Sequence, residues 1–491
     1  MRAFHFLLLV GAGWLLQSCS ASRYNPSKKY APQQLQEDYA VFRGSLEEAH
    51  PSLYWYTSKD SMDFYFDVGK SKLKDSLTEG QFRTVLSYVI SKIRCGHTTV
   101  RPSRAAAEAT ARNAPFPLLI KAWSDTAVVM GNLNRNDSSV HRGVILQKID
   151  GRPVATILDS LFSFLSTDGF NQTHQYQTLS NGSAFRNLYA SAFGLKQKIP
   201  VEYIDTLGQV RTATLSLYQP KVDSSRTERS STKGPSRRER KKWEREAMRS
   251  LRFDSALHMA VLEVNTFTKG YGLRRFFKRS FKEIEKRGVP NLVVDMRGNG
   301  GGSVILSNLL TKYIADKPFT IADTLYAVRR SSDYGKYRSN NFFNWLFLQF
   351  LTKKKSDGQY HFRFFENKKF KPKGKHNFNG TTYILTGGNT FSAATLFTKS
   401  LQEQENVIVV GEETGGGAYG NSAWLIPDVT LPHTQVRYRL PLFRLVIDSK
   451  FEKGRGVIPD VPALPTVEAL RKGEDYKMEK VKSLIREKSP K

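Results

Sequence analysis

Three short stretches combine reactive side chains with backbone that could assist them. In the run from Thr381 to Ala394, β-branched residues stop at Gly387 and Gly388, and a helical pattern begins with Leu396, Phe397 and Leu401 at helix spacing. That places Ser392 on a strand-to-helix turn, where unpaired N–H groups and the positive end of a helix dipole gather. A hydroxyl there can attack a carbonyl while neighbouring N–H groups hold the oxyanion; the same position also suits a capping serine followed by a close-packed Ala pair. The second stretch is Asn291-Leu292-Val293-Val294-Asp295, a buried strand, followed by Met296-Arg297-Gly298-Asn299-Gly300-Gly301-Gly302-Ser303. It lacks both G-x-G-x-x-G and a Lys-Ser/Thr ending, so it is no phosphate loop. Its glycines either expose N–H groups to an oxyanion or extended peptide, or form a tight crossover turn. The third is Cys95-Gly96-His97-Thr98-Thr99-Val100. His97 follows an amphipathic helix and can lean over a neighbouring cleft or cap the last carbonyls.

These residues need elements to position them. Residues 34–113 read as a helical domain, with Leu35, Tyr39, Phe42 and Leu46 on one face and Phe82, Val85, Leu86, Val89 and Ile90 on another. Pro51 and Thr78-Glu79-Gly80 interrupt it. Residues 114–222 change to short strands and turns. There Arg142 to Val154 gives two strands around an Asp150-Gly151 turn, and Ala155 to Phe164 gives a helix. This stretch resembles the core of a PDZ domain, which binds an extended peptide along a sheet edge. Residues 223–250 are charged and Ser-rich, a linker or exposed helix. From 251 to 470 strands alternate with helices, implying an α/β core with a mostly parallel sheet and a site at the strand C-terminal ends. Within it, residues 330–375 are basic and aromatic, an insertion over the sheet that could serve as a lid or membrane-facing element. Residues 471–491 read as a basic C-terminal tail. The expected fold class is multidomain α/β.

The 491 residues carry a formal charge of +30 and contain only two cysteines. The positive charge is spread out, and no nucleic-acid motif accompanies it, which favours an anionic envelope surface or solubility over nucleic acid. Met1-Arg2, an apolar run from Phe4 to Leu16, and Gln17-Ser18-Cys19-Ser20 resemble a bacterial lipoprotein signal over residues 1–19, with Cys19 as the lipidated residue and residues 20–33 as a tether. An ordinary signal cut near Ser22 is the alternative. Either way the expected location is outside the cytoplasm, lipid-anchored to an envelope membrane at the periplasm or cell surface. Cys95 is then left unpaired, with no disulfide framework. The nine histidines form no H-E-x-x-H, so neither a metal nor a cofactor is expected.

Read together, four motifs resemble the carboxyl-terminal processing (tail-specific) and tricorn-type serine protease family. They are Val293 to Gly302, Gly388 to Ala394, Val409-Val410-Gly411-Glu412-Glu413-Thr414-Gly415-Gly416, and Gly454-Arg455-Gly456-Val457-Ile458-Pro459-Asp460-Val461. One branch activates its serine with a lysine in a "G-K-G" turn. This chain has Gly415-Gly416-Gly417-Ala418-Tyr419-Gly420 there and no lysine. The tricorn-like branch uses an N-terminal histidine oriented by a glutamate, which the resemblance assigns to His97 and Glu452, with Glu412 or Glu413 as alternatives for the glutamate. Tricorn has a serine before its histidine, where this chain has Gly96.

The resemblance implies that Ser392 is the nucleophile, His97 the base, and Gly300 or Gly301, together with Ala393, the oxyanion donors. The expected activity is an exported serine endopeptidase cutting proteins near their C-termini or in unfolded segments. Its partners would be protein or peptide substrates and a membrane reached through the lipid. The alternatives are an inactive relative that binds peptides at the envelope and an esterase-like hydrolase.

Overall fold

The computed structural model describes residues 24–110, 116–219 and 235–488. The leader, Cys19 and the first half of the charged stretch lie outside them. No helix among the described residues is long and apolar enough to cross a membrane.

Helices α1 (Pro32–Ala49), α2 (Lys59–Ser71) and α3 (Glu79–Ile93) form the N-terminal unit. Their expected faces are buried, including Leu35, Phe42, Leu46, Phe82, Leu86 and Ile90. Thr78 starts α3 with a reciprocal cap: its Oγ1 accepts from Gln81 N–H at 3.3 Å, and Gln81 Oε1 accepts from Thr78 N–H at 2.9 Å. Arg94 ends the helix in the left-handed region at φ 56°. The chain then pairs Val100 and Arg101 with Tyr438 and Arg437, fastening this unit to the C-terminal half.

Strands β1 (Leu118–Trp123), β2 (Thr126–Asn132), β3 (Ile145–Ile149), β4 (Lys198–Ile204) and β5 (Val210–Ser216) form an antiparallel sheet in that order. Asp150 and Gly151 both have positive φ, as a tight hairpin turn requires. Helices α4 (Val154–Phe162), α5 (Gln172–Leu179) and α6 (Ala184–Phe193) close a separate core around Ile149, Ile157, Leu161 and Phe185. The segment is therefore more helical than its sequence pattern suggests.

Helix α7 (Arg237–Met248) buries no residue, as its charge run predicts. The α/β core then contains β6 (Arg249–Asp254), β7 (Met259–Val264), α8 (Leu273–Arg287), β8 (Asn291–Asp295), α9 (Val304–Ile314), β9 (Thr324–Ala327), α10 (Asn341–Leu351), β10 (Lys353–Lys354), β11 (Tyr360–His361), β12 (Thr381–Thr386), α11 (Ala393–Gln402), β13 (Val407–Gly411), β14 (Gly420–Ala423), β15 (Phe443–Val446), β16 (Val461–Pro462) and α12 (Tyr476–Lys488). The central sheet runs β6-β7-β8-β12-β13-β16, parallel except where β6 pairs with β7. A second, antiparallel sheet runs β10-β11-β9-β15-β14. The basic aromatic stretch 330–375 thus supplies edge strands and a helix to this second sheet.

Strand alternation sends Leu292 and Val294 of β8 to one face and Val293 to the other. The first face packs on α8, α9 and α11 through Phe277, Leu310 and Phe397. The second is covered by α12, whose Val481 and Ile485 meet Val261, Tyr383 and Val410. This corrects the reading of 471–491 as a tail: the lysines hide a helix whose apolar side closes the sheet. Lys477 turns inward to Glu412 Oε2 at 2.6 Å and Thr386 O at 2.7 Å. Ile485→Ala is therefore expected to lower unfolding free energy by about 2–4 kcal/mol in urea titration. A loss under about 0.5 kcal/mol, typical of a surface site, would mean that α12 does not cover the sheet.

Candidate active site

Strands β8 and β12 are parallel neighbours, with Asp295 opposite Leu385, so the loops that follow them leave the same end of the sheet side by side. Asn299 fixes their contact. It is fully buried; its carbonyl accepts Phe391 N–H at 3.0 Å, its Nδ2 donates to Val264 O at 2.9 Å, and its Oδ1 accepts Gly301 N–H at 2.9 Å. Thr390 adds a second tie, donating its hydroxyl to Met296 O at 2.9 Å and accepting Gly387 N–H at 3.1 Å.

Ser392 emerges from this frame at φ 56° and ψ −121°, an unfavourable conformation for a residue with a side chain. Its hydroxyl makes no capping bond to α11, so the simple helix-cap reading does not describe it. Gly301 lies against it at φ 95°: a Cβ there would sit 2.7 Å from Ser392 Cβ, 2.8 Å from Phe391 O and 2.9 Å from Ala393 N. Gly301 N–H is committed to Asn299 Oδ1, so of the two glycines Gly300 is the one whose N–H is left free. The N–H groups of Gly300 and of Ala393, the first residue of α11, meet no acceptor among the described residues.

His97 comes from the other end of the chain. The turn after α3 is sewn to the 166–171 loop by Gly169 N–H to Arg94 O at 2.9 Å and Ser166 Oγ to Thr98 O at 2.7 Å. His97 is 5% exposed, and neither ring nitrogen has a hydrogen-bond partner. Its ring lies on Phe391, the residue before Ser392, with centroids 4.8 Å apart. Gly96 permits this approach, since a Cβ there would meet the Phe391 ring at 2.6 Å. A serine in place of Gly96 would collide with Phe391.

The carboxylate beside His97 is Asp168, 3.9 Å from Oδ1 to Nδ1 and 2% exposed. Asp168 also accepts Gly96 N–H at 2.8 Å and Gly417 N–H at 3.2 Å, joining three distant loops. Glu452 is exposed, two residues before Gly454, and makes no hydrogen bond or ion pair to His97 among the described residues. The alternatives are engaged elsewhere: Glu412 with Lys477, and Glu413 with Arg455 at 3.0 Å and Gly456 N–H at 2.6 Å. Nothing local marks Asp168 in Ser166-Thr167-Asp168-Gly169; only its contact with a turn 72 positions upstream reveals it.

Neighbouring groups support this arrangement. His174 covers the Phe391 ring at 4.8 Å, and burial lowers its pKa. Its Nδ1–H must be the donor to Gly388 O at 2.8 Å, since a carbonyl only accepts. Cys95 lies beside His97 and Asp168, but burial pushes its thiol up to about 11, so it stays neutral and does not compete as nucleophile. Arg297 of the glycine loop is structural: burial opposes its charge, but Asp295 and Asp475 outweigh that and hold it protonated. An apolar cavity of about 940 Å³ opens beside Ser392, walled by Leu396, Phe347, Phe362, Phe365 and Trp424.

Residues 258–463 match the family model described as Peptidase family S41. This segment is an S41 peptidase domain. Its family makes the chain a serine-type peptidase. Two solved structures share the fold of the S41 domain and of the segments before it. Mature CPAF superposes with a TM-score of 0.62 at 16% identity, covering 94% of this chain and 99% of that one. Mature CPAF complexed with lactacystin gives 0.63 at 16% identity, covering 93% and 99%. No curated protein sequence matches the chain.

Two outcomes follow from this geometry. Gly301→Ala should leave a folded protein with peptidase activity reduced about 100-fold or more, because the added methyl displaces Ser392 and its strained turn. Near-normal turnover would show that this contact does not position the serine. The other concerns His50, which donates Nε2–H to Thr98 Oγ1 at 2.8 Å and accepts Ser52 N–H on Nδ1 at 3.2 Å. Burial pulls it down to about 3, so the folded chain leaves His50 neutral where the unfolded chain protonates it. Its contribution is complete above about pH 6.5 and is lost as pH falls toward about 3, by at most about 1.4 kcal/mol per pH unit. Urea unfolding across that range should show the slope in wild type and a shallower one in His50→Gln; equal slopes would exclude His50 as its source.

Proposed function

We propose that this chain is an exported serine endopeptidase that cuts protein chains near their C-termini or in unfolded segments, with Ser392 as nucleophile and His97 as base. The observation that carries this reading is a strained, uncapped Ser392 beside unpaired N–H groups, next in sequence to Phe391, against whose ring lies a buried histidine with both ring nitrogens unpartnered. In the reaction, His97 takes the Ser392 proton as Oγ attacks the peptide carbonyl, then returns it to the leaving amine. The N–H groups of Gly300 and Ala393 receive the oxyanion. Asp168 serves as the carboxylate that selects the His97 tautomer and stabilises the imidazolium. Export and lipid anchoring through Cys19 rest on the leader sequence. The domain at 114–222, with its PDZ-like strand and helix order, would present an extended chain to the cleft. The apolar cavity suits a large aliphatic or aromatic side chain next to the cut bond.

A serine-reactive fluorophosphonate should label the purified protein, and Ser392→Ala and His97→Ala should each abolish labelling and peptide cleavage. Absence of labelling in a folded sample would overturn the reading. Asp168→Asn is expected to lower kcat about 10²–10⁴-fold, whereas Glu452→Gln should stay within about threefold of wild type. The reverse ranking would assign the orienting carboxylate to Glu452.

A further inference from the structure

Peptide cleavage at Ser392 leaves one conspicuous surface unused. Helix α10, Asn341-Phe342-Phe343-Asn344-Trp345-Leu346-Phe347-Leu348-Gln349-Phe350-Leu351, contains no charged residue. A helix without charge and with aromatic and aliphatic residues on most of its surface normally lies inside a core or against lipid. Here only Leu348 is buried. Phe347 and Leu351 face the cavity beside Ser392, and Phe347 packs on Phe362 and Phe443. The opposite side is bare: Phe342, Phe343 and Phe350 are 64%, 70% and 77% exposed, and Trp345 is 41% exposed and stacked on Phe342. Phe364, beyond β11, is a further exposed ring at 59%.

Charge around this patch is strongly one-sided. Residues 330–375 hold twelve lysines and arginines against three acids. Lys336 precedes α10, Lys353 and Lys354 follow it directly, and Arg363 and Lys368 flank Phe364; all five are exposed. Lys368 lies 4.0 Å over the Phe364 ring. Aromatic rings on an uncharged helix, bordered by cations on long flexible stems, combine the two terms of interfacial binding: apolar insertion and attraction to anionic headgroups. A protein partner would cover the rings equally well, but would not account for so strong an excess of cations around them.

We propose that the outer face of α10, with Phe342, Phe343, Trp345 and Phe350 inserted and the flanking lysines on headgroups, docks this chain on an anionic lipid bilayer. Because the inner side of the same helix walls the Ser392 cavity, docking holds the cleft at the membrane surface. The proposal is independent of which residues perform cleavage and of any lipid on Cys19.

The test uses the chain without residues 1–19 in every sample, so that neither a covalent lipid nor the apolar leader with its Trp14 contributes. Sedimentation with vesicles containing about one-third phosphatidylglycerol should recover most of the protein, while phosphatidylcholine vesicles recover little and added salt releases it. Phe342→Ser/Phe343→Ser/Phe350→Ser should weaken binding about tenfold or more, and Lys353→Gln/Lys354→Gln should weaken it severalfold. Tryptophan emission should shift to the blue on vesicle addition, and Trp345→Phe, which keeps the face apolar and the fold intact, should remove that shift. Cleavage of a short soluble peptide without vesicles, measured in parallel, should be unchanged in Trp345→Phe. Three results would overturn the proposal: no binding by the parent chain, binding that the aromatic changes leave intact, or a blue shift that survives Trp345→Phe. Self-association that the aromatic changes abolish, without vesicle binding, would overturn it in favour of a second copy on this face.

Discussion

The site depends on the parallel pairing of β8 with β12, in the register that sets Asp295 opposite Leu385. Two strands nearly ninety positions apart end at the same level, so a glycine turn and a serine turn share one small volume. Asn299 then converts proximity into fixed geometry, using carbonyl, Nδ2 and Oδ1 on three separate backbone groups. An unpaired polar atom on a fully buried amide costs free energy, and displacement of either loop would leave several groups unsatisfied at once. The positive φ of Ser392 persists because its surroundings over-determine it.

A second constraint acts at longer range. The helical unit contributes only a turn to the cleft, but that turn is held by loops from two other parts of the chain. Asp168 accepts N–H groups from Gly96 and Gly417, and Phe170 N–H reaches Gly454 O at 3.0 Å. The closeness of these backbones explains several glycines: a Cβ on Gly169 would lie 2.2 Å from Gly454 Cα, and one on Gly416 would lie 2.9 Å from Ser392 N. Packing supplies the remaining connection, since the rings of His97 and His174 both lie against Phe391. The orientation of the His97 ring therefore depends on the residue that immediately precedes Ser392.

Much of the framework is legible in the order of the residues, because it follows from local pattern. The strands at 291–295 and 381–386, the helix at 304–314 and the turn holding Ser392 agree with their hydrophobic periodicity and their glycines. Periodicity fails at the C-terminus, where the dense lysines of 471–491 outweigh a sparse apolar face formed by Val481 and Ile485. It also under-reads helix α5, whose polar composition carries little amphipathic signal.

The amino-acid order alone specifies the parts of the peptidase core: a serine at a strand-to-helix turn, a glycine loop after a buried strand, and four motifs in sequence. These are local features, set by backbone preference and side-chain period within a few residues. Folding is what selects the carboxylate beside His97, leaves some N–H groups of the glycine loop free, and keeps the aromatic rings of α10 uncovered. Each of these is a relation between segments tens to hundreds of positions apart, fixed by packing and hydrogen-bond satisfaction. No periodicity records such a relation, because Asp168 and Glu452 are equally ordinary carboxylates until the chain folds one of them against an imidazole.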